Sequence, residues 1–253
     1  MNFSFLIQAR MGSTRYPGKA LEKIYMDNTL IDVVYQRVMQ ANYTDKFNVV
    51  VLTTNNRKDD KLVEYLESKQ ILYFRGDEEN VYKRFKDYLE SVSLRPDYFF
   101  RICSDNPFIE PEFLDDLSNI ILHGDDSHDY FSHKDFDGTP SILTHYGLFA
   151  ELIKTESFLN ADKLVDNDYY RQHVTPVLYK SGNFNTEFIE MDSSLRDKTI
   201  RLTFDTEEDL SLVKSILSEL NGINFNFKEV VSVLEKHPEY TAKMKESIER
   251  NAK

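Results

Sequence analysis

The sequence predicts an α/β protein of three layers, with a mostly parallel central sheet covered by helices on both faces. Strand-like apolar runs alternate with helix-like segments in βαβα order. Those runs are apolar at nearly every position and not at every second one, which is how parallel strands buried on both faces read. The length of 253 residues suits one large α/β domain.

In chain order, FSFLIQ (3–8) is the first strand and TLIDVVYQRVMQAN (29–42) the first helix. NVVVLTT (48–54) and KDDKLVEYLESK (58–69) form the next strand and helix, followed by ILYF (71–74) and ENVYKRFKDYLESV (79–92), then DYFFRI (97–102) and PEFLDDLSNII (111–121). GDDSHDYFSHKDFDGTP (124–140) breaks the alternation with turn formers and charge, so a loop or small subdomain is expected around 124–145. Beyond SILTHYGLFAELI come a helical NDYYRQHVTPVLYK (167–180), a strand near FNTEFIEM (184–191), a strand IRLTF (200–204), and two closing helices starting near Thr206 and Phe227. The whole chain, 1–253, reads as one domain with no internal repeat.

Composition narrows the classes of function. A chain that is 41% hydrophobic and 29% charged buries a real core. The formal net charge of −12 argues against a broad nucleic-acid footprint. No apolar run approaches the ~18 residues of a membrane span, and the N-terminus lacks a leader pattern, so a cytoplasmic protein without membrane association is expected. The single cysteine, Cys103, excludes an internal disulfide, and its setting in FFRICSDNP favours a buried structural thiol.

Against that acidic background, QARMGSTRYPGK (8–19) places Arg10, Arg15 and Lys19 among Gly12, Gly18 and Ser13, directly after the first strand. In open parallel sheets ligands bind beyond the carboxyl ends of the strands, and the loop after the first strand is a preferred phosphate site. Backbone N–H groups and three cationic side chains there suit a polyphosphate. The loop is not a P-loop, because five residues separate the glycines and Ala20 follows Lys19; nor is it a G-x-G-x-x-G fingerprint.

The stretch IQARMGSTRYPGKAL, with DEENVYKRF, RICSDNPFIEP, DYYRQHVTPVLY and IRLTFDTEEDL following in order, resembles the bacterial cytidylyltransferases that activate sugars as CMP derivatives. That group holds the 3-deoxy-manno-octulosonate synthetases and the spore-coat polysaccharide F-type proteins. The resemblance implies a Rossmann-like nucleotidyltransferase fold of GT-A type, with CTP and a small sugar-like acceptor as partners, Mg²⁺ as cofactor and a homodimer as the assembly. It implies transfer of CMP from CTP to an anionic sugar or a related phosphorylated or acidic acceptor, with release of pyrophosphate, in the synthesis of surface polysaccharide precursors.

It also implies a site. Asp105 and Asp205 match the family's metal aspartates; the alternative reading of each as a plain residue is a turn or N-cap residue for Asp105 and a helix cap for Asp205. Glu208 and Asp209 read as first-turn acids that favour the helix dipole. Arg15, Lys19 and Asp105 form the catalytic set. The nucleotide would lie on Gln8, Ala9, Arg10, Gly12, Ser13, Arg15 and Lys19, with Thr54, Asn55, Arg75, Gly76 and Ser104 beside it; Thr54 and Asn55 are otherwise ordinary turn formers. Arg84, His145 and His173 are the substrate-side residues, although Arg84 also reads as a helix-surface arginine and His173 as a structural histidine. His128 and His133 with their neighbouring aspartates fit no zinc spacing and read as a mobile polar loop. Two other classes stay open. A glycosyltransferase would place its metal on an Asp-x-Asp such as Asp135-Phe136-Asp137, which lies in the loop after His133 and not behind a core strand; a non-catalytic nucleotide-binding relative would lack the metal carboxylates.

Overall fold

A computed structural model describes residues 2–44, 48–124, 127–196 and 199–251. Strand β1 (Phe3–Gln8) leads through the basic loop into a small hairpin, β2 (Lys23–Tyr25) and β3 (Asn28–Thr29), and into α1 (Leu30–Val38). Thr29 starts that helix with a reciprocal box, its hydroxyl accepting from the Asp32 N–H while the Asp32 carboxylate accepts from the Thr29 N–H. Then follow β4 (Asn48–Thr54), α2 (Asp60–Ser68), β5 (Tyr73–Gly76), α3 (Val81–Ser91), β6 (Tyr98–Cys103) and α4 (Pro111–His123). The second half holds β7 (Tyr130–Lys134), β8 (Glu151–Lys154), α5 (Thr155–Asn160), α6 (Asp168–His173), α7 (Pro176–Lys180) and β9 (Thr186–Glu190). It closes with α8 (Glu207–Glu219), α9 (Phe227–Lys236) and α10 (Pro238–Asn251).

Seven strands form the central sheet in the order β5-β4-β1-β6-β8-β7-β9. The β5-β4-β1-β6 block and the β7-β9 pair are parallel. Strand β8 runs antiparallel to both β6 and β7. Alternation along the strands divides the core: Phe5, Ile7, Phe100 and Ile102 face the layer of α1, α2, α4, α8 and α9, whereas Leu6 and Phe99 face Phe85 and Leu89 of α3, Phe158 of α5 and Val177 of α7. Two apolar layers on one sheet make the three-layer α/β architecture. After β1 the chain moves outward to β4 and β5 and then returns to the other side of β1 as β6. The loops leaving β1 and β6 therefore part at their carboxyl ends, where open sheets form a crevice.

Four elements differ from expectation. The 124–145 stretch, of which residues 125 and 126 lie outside the described residues, is no separate loop: it contains β7, an interior strand whose Tyr130, Phe131, Ser132 and His133 are all buried. His133, expected in a mobile polar loop, packs against the stacked Phe113 and Phe149 rings at 5.2 and 4.8 Å, and burial lowers its pKa to about 4. IRLTF is not a ladder strand; it docks by two backbone bonds, Leu202 N–H to the His145 carbonyl (3.0 Å) and Phe204 N–H to the Asp105 carbonyl (2.8 Å). The helix over 167–180 is two helices. Pro176 cannot continue the α6 bonding pattern, and between the two Val174 adopts φ 71°, ψ −64° while the Thr175 N–H bonds the His173 carbonyl at 2.9 Å. That is a γ-turn of the rare strained hand, on a buried β-branched residue. The chain also closes on three helices, not two, since α10 follows α9 after a break at His237-Pro238.

Candidate active site

The basic loop is held at three points. The Ala9 N–H bonds the Leu52 carbonyl, the Met11 N–H donates to the Asp59 carboxylate at 2.7 Å, and the Gly18 N–H returns to the Met11 carbonyl at 2.9 Å. Gly18 has φ +80°, a conformation that a side chain would strain. The turn delivers Lys19 inward and leaves Arg10 exposed and Arg15 half-exposed. The Gln8 side chain accepts from Arg101 Nε at 3.1 Å, the Ser13 hydroxyl accepts from the Tyr16 N–H at 3.4 Å, and the Ser104 N–H bonds the Gln8 carbonyl at 3.1 Å. Nothing lies closer than 3.7 Å to where a Gly12 side chain would start.

Lys19 is the centre of the site. Its Nζ lies 3.3 Å from Asp105 Oδ2, 2.9 Å from Asp205 Oδ1 and 2.9 Å from the Phe204 carbonyl. The Phe204 N–H to Asp105 carbonyl bond is what joins the two loops, so residues a hundred positions apart share one ammonium. Burial pulls the Lys19 ammonium down, but Asp105 and Asp205 outweigh it and the net shift is upward. Burial alone would raise the Asp205 carboxyl; Lys19, Arg15 and Arg201 hold it below its ordinary value. Arg15 Nη2 stands 2.9 Å and Arg201 Nη2 3.3 Å from Asp205 Oδ2.

Arg201, buried, is the positioning group behind this pair. It binds Asp209 through Nε (3.1 Å) and Nη2 (3.0 Å), while Asp209 accepts the N–H groups of Asp205 and Thr206, both at 2.9 Å. Asp209, expected only as a first-turn acid, is therefore also the anchor that orients Asp205. Its Thr206-x-x-Asp209 capping box was readable in the sequence, and Arg201 was not. Arg201 Nη1 also lies 2.8 Å from His145 Nδ1. A guanidinium only donates, so Nδ1 accepts and the proton of the neutral ring resides on Nε2. Burial and then the Arg201 charge lower the His145 pKa, which keeps the ring neutral.

A cavity of about 1030 Å³ opens beside this cluster, and Arg15, Asp105, Asp205, His145 and His173 all line it. His173 is exposed at the end of α6, its ring 4.7 Å from that of Tyr169, next to the strained turn. On the floor, buried Arg101 pairs with Glu151 at 2.5 Å, and Glu151 also accepts from the Tyr130 hydroxyl at 2.6 Å. Cys103, expected to be a buried structural thiol, is half-buried in the cavity wall, where desolvation pushes its pKa up to about 12.

The remaining expected residues gather at the β4 and β5 ends, on the other side of the basic loop. Buried Asp59 organises them: it accepts from the Thr53 hydroxyl and from the Thr54 N–H and hydroxyl as well as from Met11. The Thr54 hydroxyl is thus already taken, Asn55 is exposed, and the Asn55 N–H bonds the Gly76 carbonyl. Arg75 donates to the Thr54 and Asn56 carbonyls and pairs with Asp60 at 2.8 Å. Gly76 is required for packing, since a side chain there would begin 2.7 Å from Arg84 Cγ. Arg84, expected on the substrate side, is buried away from the cavity wall, with Nε on the Asp77 carbonyl and Nη2 on that of Glu78. It supports the loop into α3. Asp135 and Asp137 shape a turn by accepting from Phe136 and Thr139 N–H groups. Among the described residues no group of three or more His, Cys, Asp or Glu is arranged to hold a metal, and no helix is long and apolar enough to cross a membrane.

A mostly parallel sheet that presents a cationic turn after its first strand and two converging carboxylates beside it defines an α/β nucleotidyltransferase. The model of the cytidylyltransferase family matches residues 4–237, and the chain belongs to that family. It is 31% identical over 245 residues to the spore coat polysaccharide biosynthesis protein SpsF of Bacillus subtilis (strain 168), covering 93% of this chain and 95% of that one. Among solved structures it is similar to a cytidylyltransferase from Leptospira borgpetersenii serovar Hardjo-bovis (strain JB197), with 27% identity and a TM-score of 0.82 over 95% of this chain and 97% of the other. CMP:2-keto-3-deoxy-manno-octonic acid synthetase complexed with CTP shares the fold at 17% identity, with a TM-score of 0.64 over 87% of this chain and 100% of the other.

Proposed function

We propose that the protein transfers CMP from CTP to an anionic sugar or a related phosphorylated or acidic small acceptor, with release of pyrophosphate, in the cytoplasmic synthesis of surface polysaccharide precursors. The observation that carries this reading is the convergence of Asp105 and Asp205 on the Lys19 ammonium, between the basic loop and the large cavity. Membership of the family supports the cytidylyl chemistry, and the relatives' printed names support the acceptor class.

The loop and the carboxylates divide the work. Arg10, Arg15, Lys19 and the N–H groups of residues 12–15 receive the triphosphate, whose oxygens replace the carboxylates as partners of Arg15 and Lys19. Asp105 and Asp205 would hold Mg²⁺: two carboxylate oxygens already share one cation at 2.9 and 3.3 Å, and a hard divalent ion accepts such a pair with waters and phosphate oxygens. When bound, the ion would neutralise charge on the phosphates. The acceptor lies in the cavity beside His145 Nε2–H and His173, and its oxygen attacks the α-phosphorus in line. Pyrophosphate leaves toward Lys19 and Arg15. Catalysis is then positioning and charge stabilisation by groups fixed in advance.

The nucleotide preference tests this reading. A pocket that reads position 4 of cytosine with an acceptor would face the carbonyl of uracil with another lone pair, at about 1–3 kcal/mol. CTP with Mg²⁺ should therefore raise the melting midpoint most, UTP much less, and ATP and GTP only by what triphosphate binding gives. Equal shifts from all four would mean that the loop binds phosphate without reading the base.

A further inference from the structure

The helix α10 begins at Pro238, one residue past the stretch matched by the family model, yet its last turn reaches the cavity. Met244, buried, docks it on the site, its sulfur accepting from the Arg201 N–H at 3.3 Å, and Ser247 is buried one turn further on. This places Arg250 on the cavity wall. Arg250 binds Glu208 of α8 end-on, Nη1 to Oε1 at 3.0 Å and Nη2 to Oε2 at 2.5 Å, with both side chains more than half exposed.

The other arginines of that wall are engaged. Arg15 lies against Asp205 at the triphosphate loop, and Arg101 is buried against Glu151. The Arg250–Glu208 pair is exposed, and exposed pairs contribute little, so a competing anion can take the guanidinium at small cost. We propose that Arg250 is the specificity residue for the acceptor's negative group, a carboxylate or a phosphoryl group, and that Glu208 holds it at the cavity mouth until that group arrives. The inference rests on the proposed reaction, because it is that reaction that brings an anionic acceptor to the cavity.

The test uses the full chain with saturating CTP and Mg²⁺, so that the loop cations are occupied. Sodium acetate and sodium phosphate, at ionic strength fixed with sodium chloride, serve as probes of the two anionic groups, and the melting midpoint gives an apparent Kd. Stabilisation by CTP alone, read first, tests the functional reading separately. At least one probe should bind wild type; Arg250→Gln should weaken it by about tenfold, the low end for a lost hydrogen bond to a charged group. Arg250→Lys should retain part of the affinity, and Glu208→Gln, which frees the arginine, should tighten it by about threefold, as expected for removing a weak exposed competitor. A clamp between α8 and α10 would respond alike to both Gln variants, because each breaks the same pair. Shifts in the same direction, no difference between Arg250→Gln and wild type, or no binding of either probe would overturn the assignment.

Discussion

At the scale of single residues, the site is a set of charges that each need a partner. Lys19 meets Asp105 and Asp205, and Asp205 is in turn held by Arg15 and Arg201. If both carboxylates act through one ion, Asp105→Asn and Asp205→Asn should each weaken the Mg²⁺ dependence of turnover, and the double variant should lose less than the sum of the two. Steady-state rates over a magnesium titration give that cycle; strictly additive losses would mean that the two aspartates do not act through one ion. The residue types of this cluster were legible, because Arg10, Arg15 and Lys19 stand together in one loop and each aspartate follows an apolar run. Its supports were not. Arg201 and Glu151 are lone charges in apolar runs and Asp59 is one of five charged residues in a row, and their roles exist only where distant segments meet.

At the scale of elements, the strands that were easy to read are those built on an apolar run, β1, β4 and β6. Strand β7 escaped because YFSHK carries polar letters whose burial depends on neighbours: the Ser132 hydroxyl faces that of Ser141 at 3.2 Å, and His133 packs against two phenylalanine rings. IRLTF shows the opposite error, since an apolar run docked by two bonds looks like a strand in sequence. The buried histidine has a measurable consequence. Its folded pKa, about 4, lies below the usual 6.5, so the unfolded chain binds the proton more readily. Stability from this group is intact above about pH 6.5 and falls as pH drops toward 4, by about 3 kcal/mol in all for a shift of this size. Urea midpoints for wild type and His133→Leu should converge or cross as pH is lowered from 7 to 4.5. A constant gap over that range would show that His133 does not titrate with unfolding.

For the whole molecule, the order β5-β4-β1-β6-β8-β7-β9 puts the basic loop at the middle, the Asp59-centred loops to one side and the cavity to the other. That arrangement allows a nucleotide and an acceptor to meet over β1 and β6, and α10 adds a wall to the acceptor side. The fold was legible because parallel α/β sheets impose a repeated pattern on the chain; the division of its upper rim into two halves follows from topology, which no single segment encodes. The most direct measurement is pyrophosphate release from CTP and Mg²⁺ over a panel of acidic sugars and sugar phosphates, with mass detection of the CMP conjugate. Release should require one of these acceptors, stop with EDTA, and fall by about two orders of magnitude or more in Lys19→Ala, the scale of other lost charge-stabilising groups. Absence of any acceptor-dependent release, or a Lys19→Ala protein that turns CTP over at the wild-type rate, would contradict the proposed reaction.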